Sequence, residues 1–153
     1  MFGAAKIYNT GHLKNTYHIF HDLEFEKKEL LIVLIDDSKK DISLLEEMLL
    51  FVNDFKIKTI AYNSPIEALH AIERNEVMPD LIIMDLVMPG IDGKIALSRL
   101  KSCVHSDHIP VVIYSSMNNY QQVSQINALD AHAFFAKPID INSFSKFLHN
   151  VIA

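Results

Sequence analysis

The sequence contains a single cysteine, Cys103, so no disulfide can close within the chain, and a reducing cytoplasm is the expected location. Long apolar runs are missing too. Leu30–Ile35 offers six residues before two aspartates interrupt it, far short of the ~20 that span a bilayer, so no membrane partner is expected. The N-terminal stretch lacks an apolar segment of the secretory kind, roughly 7–15 residues long. Basic charge is scarce where the chain is longest. Residues 30–153 hold ten Lys and Arg against fifteen Asp and Glu, whereas residues 1–29 balance at four each, so the net charge of −5 lies in the longer part. Binding a phosphate backbone needs clustered Lys and Arg, and nucleic acid is therefore excluded as an expected partner. Internal repeats, low-complexity tracts and a second domain are absent as well.

What remains is a chain of 153 residues, half of them hydrophobic and 22% charged, which suits one globular domain with a substantial core. Residues 1–29 show no clear periodicity and carry Phe2, Tyr8, Tyr17, Phe20 and Phe25 with His12, His18 and His21. They are read as a loose or partly helical extension that docks on the domain or on a partner, and not as a metal site. Residues 30–153 form the domain.

Within it, Leu30–Ile35 is the first buried strand and ends at Asp36-Asp37-Ser38. A helix is predicted from about Lys39 to Val52, on the spacing of Ile42, Leu45, Leu49 and Val52. Ile57–Ala61 alternates and carries Lys58, which suits an edge strand. Ser64-Pro65-Ile66-Glu67 reads as a capping box opening the second helix. Leu81–Met84 is the third strand, followed by Asp85, by the turn-forming Met88-Pro89-Gly90, and by a third helix starting near Asp92 or Gly93. Ala96, Leu100 and Cys103 share a face of that helix, so Cys103 is read as a small core residue.

Val111–Tyr114 is the fourth strand, ending at Ser115-Ser116. A short polar helix follows over about Tyr120–Leu129, with a thin apolar face and the least firm packing expected of any. Ala133–Ala136 is the fifth strand, ending at Lys137-Pro138. Asp140 caps the last helix, Ile139 and Phe144 are placed for a hydrophobic staple, and Phe144, Phe147, Leu148 and Val151 form its stripe. Five strands alternating with five helices predict an α/β fold, a parallel sheet doubly wound by helices.

In such a sheet the carboxyl ends of all strands lie on one edge, where ligands bind. Strands one, three, four and five end at Asp36-Asp37, Asp85, Ser115 and Lys137, so three carboxylates, a hydroxyl and an ammonium are expected to converge. Packed aspartates repel one another, and a divalent cation relieves that repulsion. All-oxygen ligation suits Mg2+ or Mn2+. A carboxylate-held ion with a lysine opposite makes a pocket for phosphoryl oxygens, and an aspartate can serve as the nucleophile.

The runs LLIVLIDD, Asp85 to Gly93 (DLVMPGIDG), IPVVIYSS and FFAKP, in this order and spacing, resemble the receiver domain of two-component response regulators over roughly residues 30–152. The resemblance implies a flavodoxin-like sheet of strand order 2-1-3-4-5 with five helices. It implies that Asp85 accepts a phosphoryl group from a sensor histidine kinase or histidine phosphotransfer protein. Asp36 and Asp37 would hold the metal with Asp85 and the Val87 backbone carbonyl. Lys137 would pair with phosphoryl oxygens, the Ser115 hydroxyl would swing toward them, and the Ser116 amide would contact them. Ser115 and Phe134 would form the switch that alters the face made by the fourth helix, fifth strand and last helix. Signalling would pass to a downstream protein target, with self-association through the same face as a further route.

Three departures from the family pattern stand out. Asp130-Ala131 replaces a common Gly-Ala, the switch aromatic is Phe and not Tyr, and Val87 and Met117 are apolar where some relatives carry polar groups. The last pair is expected to lengthen the life of the acyl phosphate. With the chain ending one helix after Lys137-Pro138, a stand-alone regulator is expected, catalysing only its own phosphorylation and dephosphorylation. The alternative is a phosphatase of haloacid-dehalogenase type. That fold places its nucleophile in a D-x-D pattern after strand one, whereas here the aspartate pair is adjacent and the nucleophile follows strand three.

Overall fold

Four of the apolar runs become strands because both faces of each can be covered. In the computed structural model, which describes residues 27–116 and 130–152, β1 is Glu29–Ile35, β2 Lys56–Tyr62, β3 Leu81–Met84, β4 Val111–Ser115 and β5 Ala133–Ala136. The strands form one parallel sheet in the order β2-β1-β3-β4-β5. Every residue of β3 and β4 is buried. β2 lies at the edge, as its alternation and Lys58 predict, and all of its residues are exposed or half-buried.

Four helices are described: α1 Lys39–Leu49, α2 Pro65–Glu73, α3 Gly93–Ser102 and α4 Ile141–Ile152. Successive strand residues point to opposite faces and so feed two cores. Val33, Ile35, Ile82, Met84, Val111 and Ile113 meet Leu69, Ile72, Leu97 and Leu100 of α2 and α3. Leu30, Ile32, Leu34, Ile83 and Val112 meet Leu45 and Leu49 of α1 and Phe144 and Leu148 of α4. Each such fully buried Leu, Ile or Phe contributes about 1.5–3 kcal/mol of transfer free energy. The double layer therefore clamps the sheet and fixes where its carboxyl edge lies.

Local signals set the helix ends. The Ser38 and Ser64 side chains accept hydrogen bonds from the N–H groups of Asp41 and Glu67, and Asp92 accepts from Lys94 N–H. Asp140 accepts from Asn142 N–H at 3.2 Å, and Ile139 and Phe144, both buried, share one core as a staple requires. Two expectations need correction. The first helix stops at Leu49 and not Val52, because Leu50 and Phe51 project into solvent and only Val52 returns to the core. Cys103 is half-buried, since extended backbone ends α3 there before the thiol can join the inward stripe. The short polar helix expected over 120–129, and Met117, lie outside the described residues.

Candidate functional site

Each side chain of the expected constellation sits just past a strand, or in its last residue, and a neighbouring strand fixes its backbone. Asp36 N–H donates to Tyr62 O at 3.1 Å, Asp85 N–H to Ile35 O at 3.0 Å, and Lys137 N–H to Ser115 O at 3.1 Å. The parallel ladder thus runs one residue beyond the strands and delivers these groups to one edge. Asp36, Asp85 and Ser115 are buried there.

The loop from Leu86 to Asp92 closes over the edge. Gly90 adopts φ +94°, a conformation that suits glycine. Gly93 N–H donates to Leu86 O at 3.2 Å, and a β-carbon on Gly93 would lie 2.5 Å from the Leu86 backbone. Only glycine lets α3 start so close to the chain leaving β3.

The Asp85 carboxylate is held from two sides. Its Oδ1 accepts from the Ser115 hydroxyl at 2.8 Å and from Val87 N–H at 3.1 Å, and its Oδ2 accepts from Lys137 Nζ at 2.9 Å. Lys137 Nζ also reaches Asp36 Oδ2 at 2.5 Å and Asp41 Oδ2 at 2.9 Å, and lies 5.3 Å from the centre of the Tyr114 ring. Asp36 Oδ1 accepts from Ser38 N–H at 2.8 Å.

Three carboxylates share one ammonium, so the cluster keeps an excess of two negative charges. Burial pushes the Asp36 carboxyl above its ordinary range despite the bonds from Lys137 and Ser38, and Asp85 adds to the rise. Burial alone would lower the Lys137 ammonium, but the bonds from Asp36, Asp85 and Asp41 outweigh it and hold the charge firmly on.

The structure therefore brings Asp36, Asp85, Ser115 and Lys137 together. Asp37 is exposed beside them, and the third carboxylate on the ammonium belongs to Asp41, which the sequence reading passed over. The sequence places it three residues after the N-cap Ser38, on the first turn of α1 and at the same sheet edge, where the helix dipole alone would account for an acid. Ser116 and Val87 are exposed, and Phe134 is half-buried against the α2–α3 core.

The donor chemistry fits a hard divalent cation. Mg2+ commonly takes one or two protein carboxylates and completes its shell with water, and Asp36 and Asp85 lie side by side with charge to spare. In this structure the Lys137 ammonium occupies the centre. Among the described residues, no group of three or more His, Cys, Asp or Glu is disposed to hold a metal ion. An ion would have to displace Lys137 from Asp36.

A doubly wound parallel sheet with an aspartate, a hydroxyl and a lysine gathered at its carboxyl edge defines a phosphoryl-handling class of α/β protein. The sequence profile of the response regulator receiver domain matches residues 32–149, and the chain belongs to that family.

Solved structures agree. The signal receiver domain of a DNA-binding response regulator from Colwellia psychrerythraea is 27% identical, with a TM-score of 0.70 over 80% of this chain and 98% of that one. The Mn2+-bound form of response regulator Rcp1 is 25% identical, with a TM-score of 0.63 over 80% and 91%. The phosphorylated cyanobacterial phytochrome response regulator RcpA is 26% identical, with a TM-score of 0.64 over 80% and 91%. Among the described residues, no helix is long and apolar enough to cross a membrane.

Proposed function

We propose that this chain is a response-regulator receiver that accepts a phosphoryl group on Asp85 from a histidine kinase or histidine phosphotransfer protein. The observation that carries this reading is the Asp85 carboxylate, buried but held by Ser115 and Val87 on one oxygen and Lys137 on the other. An Asp85 oxygen attacks phosphorus, the P–N bond to the donor imidazole breaks with its electron pair going to that nitrogen, and the ring leaves neutral because its other nitrogen already carries a proton. Lys137 neutralises the phosphoryl oxygens. Asp36, Asp37, Asp85 and the Val87 carbonyl would hold Mg2+ or Mn2+, which when bound would supply further charge neutralisation. The Mn2+-bound and phosphorylated relatives favour this assignment.

Output follows from the new charge. The Ser115 hydroxyl leaves Asp85 for the phosphoryl group, the Ser116 amide joins it, and Phe134 moves into the space released. The face that carries β5 and α4 then changes what it binds, a downstream protein or a second copy. Val87 and Met117, both apolar, keep the hydrolytic water away and prolong the signal. The chain works in the cytoplasm, without nucleic acid, and turns over no external substrate. Adjacent aspartates after β1 and a nucleophile after β3 disfavour the phosphatase alternative.

Incubation with acetyl phosphate and Mg2+ tests the assignment by mass spectrometry. The parent protein gains one phosphoryl group at Asp85 and Asp85→Asn gains none. Steady turnover of simple phosphate esters, with no label retained, would point to the phosphatase instead.

A further inference from the structure

The ammonium of Lys137 meets three carboxylates, and they differ in what else is asked of them. Asp36 and Asp85 stand one residue past β1 and β3 and, on the reading above, carry the metal ion and the phosphoryl group. Asp41 has neither task. It occupies the third position of α1, where its N–H donates to Ser38 Oγ at 3.2 Å and its Oδ2 lies 2.9 Å from Lys137 Nζ. Its side chain is 35% exposed, against 8% for Asp36 and 9% for Asp85.

The local chain explains why Asp41 faces the lysine. An acidic residue at this position ordinarily turns back to accept the N–H of the N-cap residue. Here Asp36 Oδ1 already accepts the Ser38 N–H, at 2.8 Å. The Asp41 carboxylate is released from capping and turned toward the sheet edge.

An ammonium has three N–H donors, and in this structure Asp36, Asp41 and Asp85 take one each. A divalent ion bound to Asp36 and Asp85 competes for the same oxygens and repels the ammonium. Lysine is a long, flexible side chain that loses its orientation with every partner it gives up. Asp41 lies outside the contested set.

We propose that Asp41 is a positioning residue for phosphoryl transfer. It retains the Lys137 ammonium beside Asp85 while the other two carboxylates are engaged, so that the freed N–H groups face the phosphoryl oxygens. The inference rests on Asp85 being the phosphoacceptor.

The test uses the full chain with Asp41→Asn, Asp41→Glu, Lys137→Ala and the Asp41→Asn/Lys137→Ala double variant. In metal-free urea unfolding, the Asp41 and Lys137 substitutions are expected to be non-additive, with a coupling of about fivefold in the unfolding constant. With acetyl phosphate at saturating Mg2+, Asp41→Asn is expected to slow labelling of Asp85 about fivefold, roughly the upper worth of one partly exposed ion pair, and Asp41→Glu to recover part of it. In the Lys137→Ala background, Asp41→Asn changes nothing further.

Parental labelling by Asp41→Asn overturns the inference, as does a slowing that is equal with and without Lys137, the sign of a merely structural helix-start effect. So does unfolding coupling unaccompanied by any change in rate. A parent protein that takes up no phosphoryl group overturns the functional reading itself, and this inference with it.

Discussion

Two ion clusters sit at opposite ends of the sheet and use the same ingredients with opposite excess. At the amino end, Glu29 faces Lys56 and Lys58 at 3.1 and 2.6 Å, with all three side chains about half exposed or more. At the carboxyl end, Lys137 faces Asp36, Asp41 and Asp85 at 2.5–2.9 Å and is only 12% exposed. Water screens the first cluster, and its lysines lower the Glu29 carboxyl without giving the fold much to lose. The second has been drawn out of water, so each charge there depends on its partners and a surplus of one sign is costly. The amino-end cluster decorates a strand edge, whereas the carboxyl-end cluster keeps an electrostatic imbalance that a ligand can relieve.

Breaking the buried cluster has the largest effect. Lys137→Met leaves three carboxylates without their cation and is expected to lose about 3 kcal/mol of stability in metal-free urea unfolding at neutral pH. Adding Mg2+ to that variant restores part of the loss. A loss no larger than that of an exposed lysine would erase the distinction between the clusters.

The opposite substitution has the opposite sign. Asp36→Asn keeps an acceptor for Ser38 N–H while removing a surplus charge, and is expected to gain about 1 kcal/mol without metal while losing Mg2+ affinity. Burial raises the folded pKa of Asp36 above its unfolded value, so the folded state takes up the proton first. The penalty is complete at neutral pH and fades as pH falls through the folded value. The gain from Asp36→Asn, followed across that range, should shrink accordingly.

A case between the two clusters is His132. Its Nδ1 lies 3.3 Å from Val111 N–H and 3.4 Å from Lys101 Nζ, and burial, with Lys101 beside it, lowers its pKa. A depressed histidine contributes stability above its unfolded pKa and loses it as pH falls through the folded one. Thermal unfolding from pH 7.5 downward should therefore show a modest acid-side decline that His132→Gln removes. Smallest of all is Glu29→Gln, expected to leave the unfolding midpoint unchanged within error at physiological salt. A marked shift there would show that the exposed cluster carries more of the fold than its solvation allows.

How much of this was legible in the sequence depended on what else each residue had to satisfy. β3 and β5 fall on their predicted residues, and β4 extends one further, to Ser115. β3 and β4 have no exposed face to blur the pattern. Asp36, Asp85, Ser115 and Lys137 could be placed because a parallel sheet puts every strand end on one edge. The end of α1 was misjudged because Val52 continues the apolar spacing after the helix has stopped, and periodicity does not register the exposed Leu50 and Phe51 between. Asp41 was missed for a subtler reason. An acid in a first helical turn already has an ordinary explanation in the helix dipole, and only the capture of Ser38 N–H by Asp36 shows that Asp41 is spare.

Gly93 has a mechanical consequence. With a hydrogen where any other residue would place a carbon 2.5 Å from the Leu86 backbone, the start of α3 is seated directly on the chain one residue past Asp85, and a side chain at Gly93 would have to part the two.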